Sequence, residues 1–169
     1  EDDVFGELSL SETPPKLKTL APETVIYLGS LSKLLGATIK IGWLLAPEAL
    51  AEQFAQAKRR MSIDTTIFPQ VLANSALQSP EFFSQKHLLL QEMAHRKTAL
   101  EQILLPFKDD WQWQSIKGGL YFWLQWRHPS LHRNDWQVLL RNSLLGAPAF
   151  LFSNETNAVR LNYTRLSEK

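Results

Sequence analysis

Two short runs constrain this chain most: Val25 to Gly29 (VIYLG) and Ile41 to Ala46 (IGWLLA) are nearly continuous apolar stretches with no polar alternation. A strand covered on one face alternates, whereas a strand covered on both faces does not. The first part of the chain therefore reads as the buried sheet of an α/β protein. Directly after the first run comes Ser30-Leu31-Ser32-Lys33, and Lys40 and Gly42 open the second. Ligands of parallel α/β sheets bind beyond the carboxyl ends of strands, so this segment is the first place to look for chemistry.

The periodicity changes after Glu48. Leu50, Phe54, Ala57 and Met61 fall at the spacing of one helical face. Asp64 is placed to cap a second helix running to about Leu77, with Pro69 in its first turn. Ser79-Pro80-Glu81 reads as N-cap, first helical residue and acidic first turn of a long helix to about Leu105, with Phe82, Leu89, Met93, Leu100 and Leu104 facing inward. Strands are expected at Trp111 to Gln114, Leu120 to Trp126, Phe150 to Phe152 and Val159 to Tyr163. Asn134 with Gln137 resembles a capping pair for a helix ending near Gly146. The stretch from Phe5 to Ala21, rich in Ser and Pro, suits a surface loop, and Ser153 to Asn157 suits a polar turn.

Composition excludes several classes. With no Cys among 169 residues, disulfide scaffolds, thiolate metal sites and thiol nucleophiles drop out. A formal net charge of +1 argues against a bulk nucleic-acid surface. No apolar run approaches the roughly 20 residues that span a bilayer, and no signal peptide is legible, so a cytoplasmic location is expected. The chain begins with Glu1-Asp2-Asp3 rather than Met, which suggests a piece of a longer polypeptide. Six Trp and nine Phe call for large partners to pack against.

Lys33 is the residue with the most chemical promise. An ammonium destabilised by partial burial and a nearby cation gives up its proton more easily, the condition for condensing with an aldehyde. Ser30, Ser32 and Lys40 could hold a phosphate. On spacing alone, Lys33 better suits a strand end with its ammonium in solvent. His87, His95, His128 and His132 offer no metal-ligand spacing and read as solvated. The basic run Lys58-Arg59-Arg60 sits where cations complement a helix C-terminus.

Five motifs in order resemble the cofactor-binding core of fold-type I pyridoxal-phosphate enzymes, and more narrowly the aminotransferase-like domain of MocR-type regulators of the GntR family. They are Glu1-Asp2-Asp3-Val4-Phe5-Gly6-Glu7-Leu8; Ser30-Leu31-Ser32-Lys33 with Lys40-Ile41-Gly42-Trp43; Gly118-Gly119-Leu120-Tyr121-Phe122-Trp123; Ala147-Pro148-Ala149-Phe150-Leu151-Phe152; and Val159-Arg160-Leu161-Asn162-Tyr163. The resemblance covers essentially the whole chain. It implies the C-terminal part of an α/β fold: residues 1–79 as the end of a large, mostly parallel-sheet domain, and 80–169 as a small α+β domain.

The resemblance also implies roles. Lys33 would form the internal aldimine with pyridoxal 5'-phosphate, and Asp2 would pair with the pyridine nitrogen, keeping the ring an electron sink. Ser30, Ser32 and Lys40 would bind the phosphate, and Arg160 would receive the carboxylate of an amino-acid substrate or effector. Four positions depart from the family pattern. Phe5 stands where a Tyr would bond the cofactor's phenolic oxygen, Lys40 replaces an Arg, Ala37-Thr38 replaces Pro-Gly, and Ala149 replaces Gly. These departures count against turnover more than against cofactor binding. The expected parent is a homodimeric regulator that senses an amino acid or amine, touches DNA only through a preceding winged helix-turn-helix, and does not engage membranes. The alternatives are a catalytic class I/II aminotransferase acting on 2-amino acids, and a non-functional truncated remnant.

Overall fold

The computed structural model describes residues 1–62 and 65–165. They fall into two compact units, Glu1–Leu90 and a second from Gln91 onward, so the division lies inside the long helix, whereas the sequence places its boundary at that helix's start.

In the first unit, β1 (Tyr27–Ser30) and β2 (Gly42–Leu45) pair antiparallel, with Gly29 opposite Trp43 and Ser30 opposite Gly42. The parallel element is the start of the chain: Asp2 bridges Leu28, the Asp3 amide donates to the Leu28 carbonyl, and the Leu28 amide donates to Glu1. The register forces a close approach. A Cβ on Gly29 would lie 2.3 Å from the Trp43 indole, and one on Gly42 would lie 2.9 Å from the Gly29 carbonyl oxygen. The predicted two-sided cover is absent within this unit: Leu28, Trp43, Leu44 and Leu45 are all exposed. The physical reason is that α2 (Glu48–Met61) and β2 line an open groove instead of closing on each other, and α2 buries no residue.

Helix α1 (Leu17–Leu20) and a 3-10 turn (Gly6–Leu8) interrupt the stretch read as loop, and Leu8 is buried. Helix α2 (Glu48–Met61) forms as predicted, but it buries no residue, and Met61 at the end of its apolar stripe is 87% exposed. Helix α3 (Ile67–Gln78) holds Pro69 in its first turn, where the missing amide costs no internal bond. Asp64, read as its cap, lies outside the described residues. Helix α4 (Pro80–Leu104) starts at its proline, and the Ser79 hydroxyl donates to the Glu81 carboxylate, which holds that carboxyl below its ordinary pKa.

The second unit is better packed. Strands β3 (Trp111–Gln112), β4 (Tyr121–Trp126), β5 (Gly146–Pro148) and β6 (Ala158–Asn162) form an antiparallel sheet ordered β3-β4-β6-β5. Met93, Leu100 and Leu104 of α4 are buried, as are Phe122, Leu124, Trp136, Ala149, Val159 and Tyr163. Leu89, predicted on the same inward stripe, is 37% exposed. Two local expectations fail here. Phe150 to Phe152 is no strand: Ala149–Leu151 is a 3-10 turn following β5. The expected cap at Asn134 is instead a reciprocal pair at His132 and Asp135, opening a 3-10 turn (Arg133–Trp136) that leads into α5 (Gln137–Arg141). Asn142 and Ser143 then end the helix short of Gly146, with Ser143 at a φ of 57°.

Candidate functional site

The segment after β1 wraps tightly around one carbonyl. Ile41 O accepts the Leu31 amide at 3.0 Å, the Ser30 hydroxyl at 3.3 Å and the Ser32 hydroxyl at 3.5 Å, while Ser30 Oγ accepts the Ser32 amide at 3.1 Å. Ser30, Ser32 and the residue next to Lys40 are thus brought together as the spacing suggests. Both hydroxyl bonds are at the long end of the range, so an anion with stronger acceptors could take them over. Lys40 itself is exposed and has a φ of 46°, a left-handed conformation that a side chain with a Cβ adopts at a cost of roughly 1–2 kcal/mol. Such strain fixes where the backbone delivers this cation at the entry to β2.

Lys33 follows in the same loop. Its Nζ lies 5.4 Å from the centroid of the Phe5 ring, and it has no hydrogen-bond or ion-pair partner among the described residues. Phe5 is therefore beside the lysine, as the motif order requires, and contributes a π face but no hydroxyl. Lys33 is exposed, not partly buried as the sequence reading supposed, because the first unit supplies no walls around it. Asp2 is also exposed, with its backbone on the Leu28 bridge and its Oδ1 accepting the Val4 amide at 3.3 Å.

Sequence reasoning missed the pairing beside Asp2. Asp3 accepts the Tyr27 hydroxyl at 2.7 Å and pairs with Lys16 at 2.6 Å. Burial alone would raise its pKa, but the bonds from Lys16 and Tyr27 and the charge of Lys16 outweigh it and hold the carboxyl low. Burial, followed by the Asp3 carboxylate, pushes Tyr27 up to about 12. The signal was present in the doubled acid Asp2-Asp3: one carboxylate is tied into structure and the other is left open. A groove of about 920 Å³ in this unit is lined by Leu28, Trp43, Leu44, Phe54 and Met61 among others. Lys33 and Asp2 do not line it, and its apolar walls do not suit a phosphorylated group.

Arg160, in the second unit, sits on β6 directly opposite Trp123. Its guanidinium carbon lies 4.3 Å from the Tyr121 ring centroid and 4.2 Å from that of Phe152. Its Nε is buried with no hydrogen-bond partner among the described residues. A buried donor left unmade costs about 1–3 kcal/mol, so such a group calls for a ligand or a role. No cluster of three or more His, Asp or Glu suited to a metal ion is found among the described residues. No described helix is long and apolar enough to cross a membrane.

The residues around β1 offer the group types that a phosphorylated pyridine aldehyde needs: an amine at Lys33, an exposed carboxylate at Asp2, two hydroxyls on Ile41 O, and a cation at Lys40, next to Ile41 in the chain. The profile described as Aminotransferase class I and II matches residues 1–169. The HTH-type transcriptional regulator NorG of Staphylococcus aureus (strain USA300) is 26% identical over 168 residues, which is 96% of this chain and 38% of the regulator. The uncharacterized HTH-type transcriptional regulator YisV of Bacillus subtilis is 28% identical over 171 residues, covering 99% of this chain and 35% of its own length. The chain thus spans little more than a third of these curated relatives. Among solved structures, the kynurenine aminotransferase of Pyrococcus horikoshii, in complex with PMP, is 26% identical with a TM-score of 0.89, over 99% of this chain and 43% of that one. The alpha-aminoadipate aminotransferase LysN of Thermus thermophilus shares the fold at a TM-score of 0.88 and 24% identity, over 99% of this chain and 45% of that one. With the profile matched from end to end, the chain belongs to the aminotransferase class I and II family.

Proposed function

We propose that this chain is the C-terminal part of a pyridoxal-phosphate-binding, aminotransferase-like effector domain in a regulator of the MocR type. The observation that carries the proposal is Lys33, unpaired in the loop after β1 and facing Phe5, with the Ser30–Ser32–Ile41 knot and Lys40 beside it. Residues 1–79 would close the large domain and 80–169 would form the small one. The similarity to HTH-type regulators along nearly the whole chain favours the regulatory reading.

In this reading Lys33 Nζ would hold the cofactor through its aldehyde carbon, and Asp2 would keep the proton at the pyridine nitrogen. Ser30 and Ser32 turn their hydroxyls from Ile41 O to the phosphate, and Lys40 adds charge without the two-pronged geometry of an arginine. Arg160 receives the carboxylate of an amino-acid effector. When bound, pyridoxal phosphate supplies an electrophilic carbon and an electron sink for an amino group. Phe5 sets a π face beside Lys33 but offers no hydroxyl to the ring oxygen, which suits binding and sensing better than repeated turnover. The intact protein would be a homodimer whose DNA contacts lie outside this chain.

The test uses the intact protein with pyridoxal phosphate added. A visible absorption band is expected, shifting when an amino acid binds, and Lys33→Ala removes it. A band that persists in the variant overturns the assignment. The similarity to kynurenine aminotransferase favours a catalytic second reading. Steady production of keto acid from a 2-amino acid would establish it over the regulatory one.

A further inference from the structure

The surroundings of Arg160 carry a more specific inference. Arg160 pairs with Trp123 on β4 and with Ala147 on β5, in the middle of the second unit's sheet. Alternation puts Tyr121 and Trp123 on one face of β4, while Phe122 and Leu124 are buried on the other. Directly opposed and diagonal side chains meet across antiparallel strands, so this register delivers Arg160 to Tyr121. Phe152 arrives from the turn after β5, completing a pair of rings within 4.3 Å of one guanidinium carbon. The Phe152 ring centroid is also 6.5 Å from that of Trp123, an edge contact that props it in place.

A guanidinium with its Nε out of solvent is ordinarily paired with an acid. Here no carboxylate among the described residues faces Arg160, and its buried Nε has no acceptor. Two ring faces within 4.3 Å of its Cζ stabilise the cation instead. The in-plane donors, which are the ones that match a carboxylate fork, are left unused.

We propose that Tyr121 and Phe152 are positioning residues for carboxylate recognition: together they fix the plane of the Arg160 guanidinium so that its in-plane donors meet a ligand carboxylate in one orientation. In this reading the two rings set how strongly an amino acid is preferred over an amine of the same side chain. This rests on the reading of Arg160 as the carboxylate receptor and adds what makes that receptor selective. Removing a ring leaves the charge in place but frees the plane, so the loss falls on discrimination between acid and amine.

The experiment titrates the intact, pyridoxal-phosphate-loaded protein with leucine and with 3-methylbutylamine, which has the same side chain without the carboxylate. The readout is the ratio of the two affinities. Tyr121→Leu and Phe152→Leu are each expected to lower the preference for leucine roughly tenfold, the effect of losing one enclosed cation–π contact. Tyr121→Phe keeps the ring and retains the preference. As a second measurement independent of ligand, hydrogen exchange of the Arg160 Nε–H, followed by NMR, is expected to speed up in both leucine variants and not in Tyr121→Phe. If Arg160→Ala lowers the ratio while the leucine variants do not, the positioning role is overturned and the receptor reading stands. If Arg160→Ala leaves the ratio unchanged, the receptor reading itself falls, and this proposal with it.

Discussion

Tyr163 shows how much one side chain settles in the second unit. It is fully buried, its ring meets Phe122 edge-on at 5.5 Å, and its hydroxyl donates to the Gly119 carbonyl at 2.9 Å. Gly119 has a φ of 78°, so the hydroxyl ties down a turn that a glycine makes possible. Burial pushes the phenol up to about 12. The unfolded chain releases this proton near pH 10, whereas the folded chain keeps it to about pH 12. Stability from the neutral phenol is therefore complete below pH 10 and drains away as the pH rises from 10 to 12. Tyr163→Phe is expected to lose about 1 kcal/mol at neutral pH through the missing bond. It is also expected to remove a high-pH loss on the order of 2 kcal/mol. Urea unfolding of the intact protein and the variant at pH 9 and pH 11.5 checks both, and an unchanged high-pH loss in the variant contradicts the linkage.

At the scale of elements, the pair β1–β2 depends on two glycines that let its backbones close. Gly42 is the stricter position, because an added Cβ would press on the Gly29 carbonyl, which cannot move without breaking the ladder. Gly42→Ala is expected to destabilise the first unit by about 1–3 kcal/mol and to weaken cofactor binding, since Ile41 and Ser30 share that ladder. Gly29→Ala meets only the partly exposed Trp43 ring and should cost less. Thermal unfolding of the two variants gives the order, and a larger loss in Gly29→Ala would refute it. The elements themselves were legible where one periodicity dominates: α2, α4, β4 and β6 come out within a residue or two of their pattern. The errors arise where local chemistry competes with pattern. Phe150-Leu151-Phe152 reads as a strand by hydrophobicity, but Pro148 and the packing of Ala149 bend it into a turn, which is what brings Phe152 to Arg160. His132 caps in place of Asn134 because Asp135, three residues on, can bond back to its amide.

Across the whole molecule, the site was readable as an order of motifs but not as a set of contacts. Lys33, Ser30 and Ser32 could be named from sequence because they are close in the chain and follow one strand, whereas Phe5 was named only through the resemblance. The Asp3–Tyr27–Lys16 cluster and the rings around Arg160 depend on long-range register, which spacing alone does not encode. The expected cover over VIYLG and IGWLLA also lies outside what these residues provide. The first unit buries Leu8, Leu31 and Ala73 but leaves Leu28, Trp43, Leu44, Met61 and Phe68 exposed. Apolar surface on this scale marks an interaction face rather than a finished exterior. The central claim is that Lys33 is the amine that carries pyridoxal phosphate. Borohydride reduction of the intact protein with bound cofactor, followed by mass spectrometry of its peptides, tests it most directly. A reduced phosphopyridoxyl group on Lys33 is the predicted result, and a label on Lys40 or another lysine, with Lys33 unmodified, would contradict it.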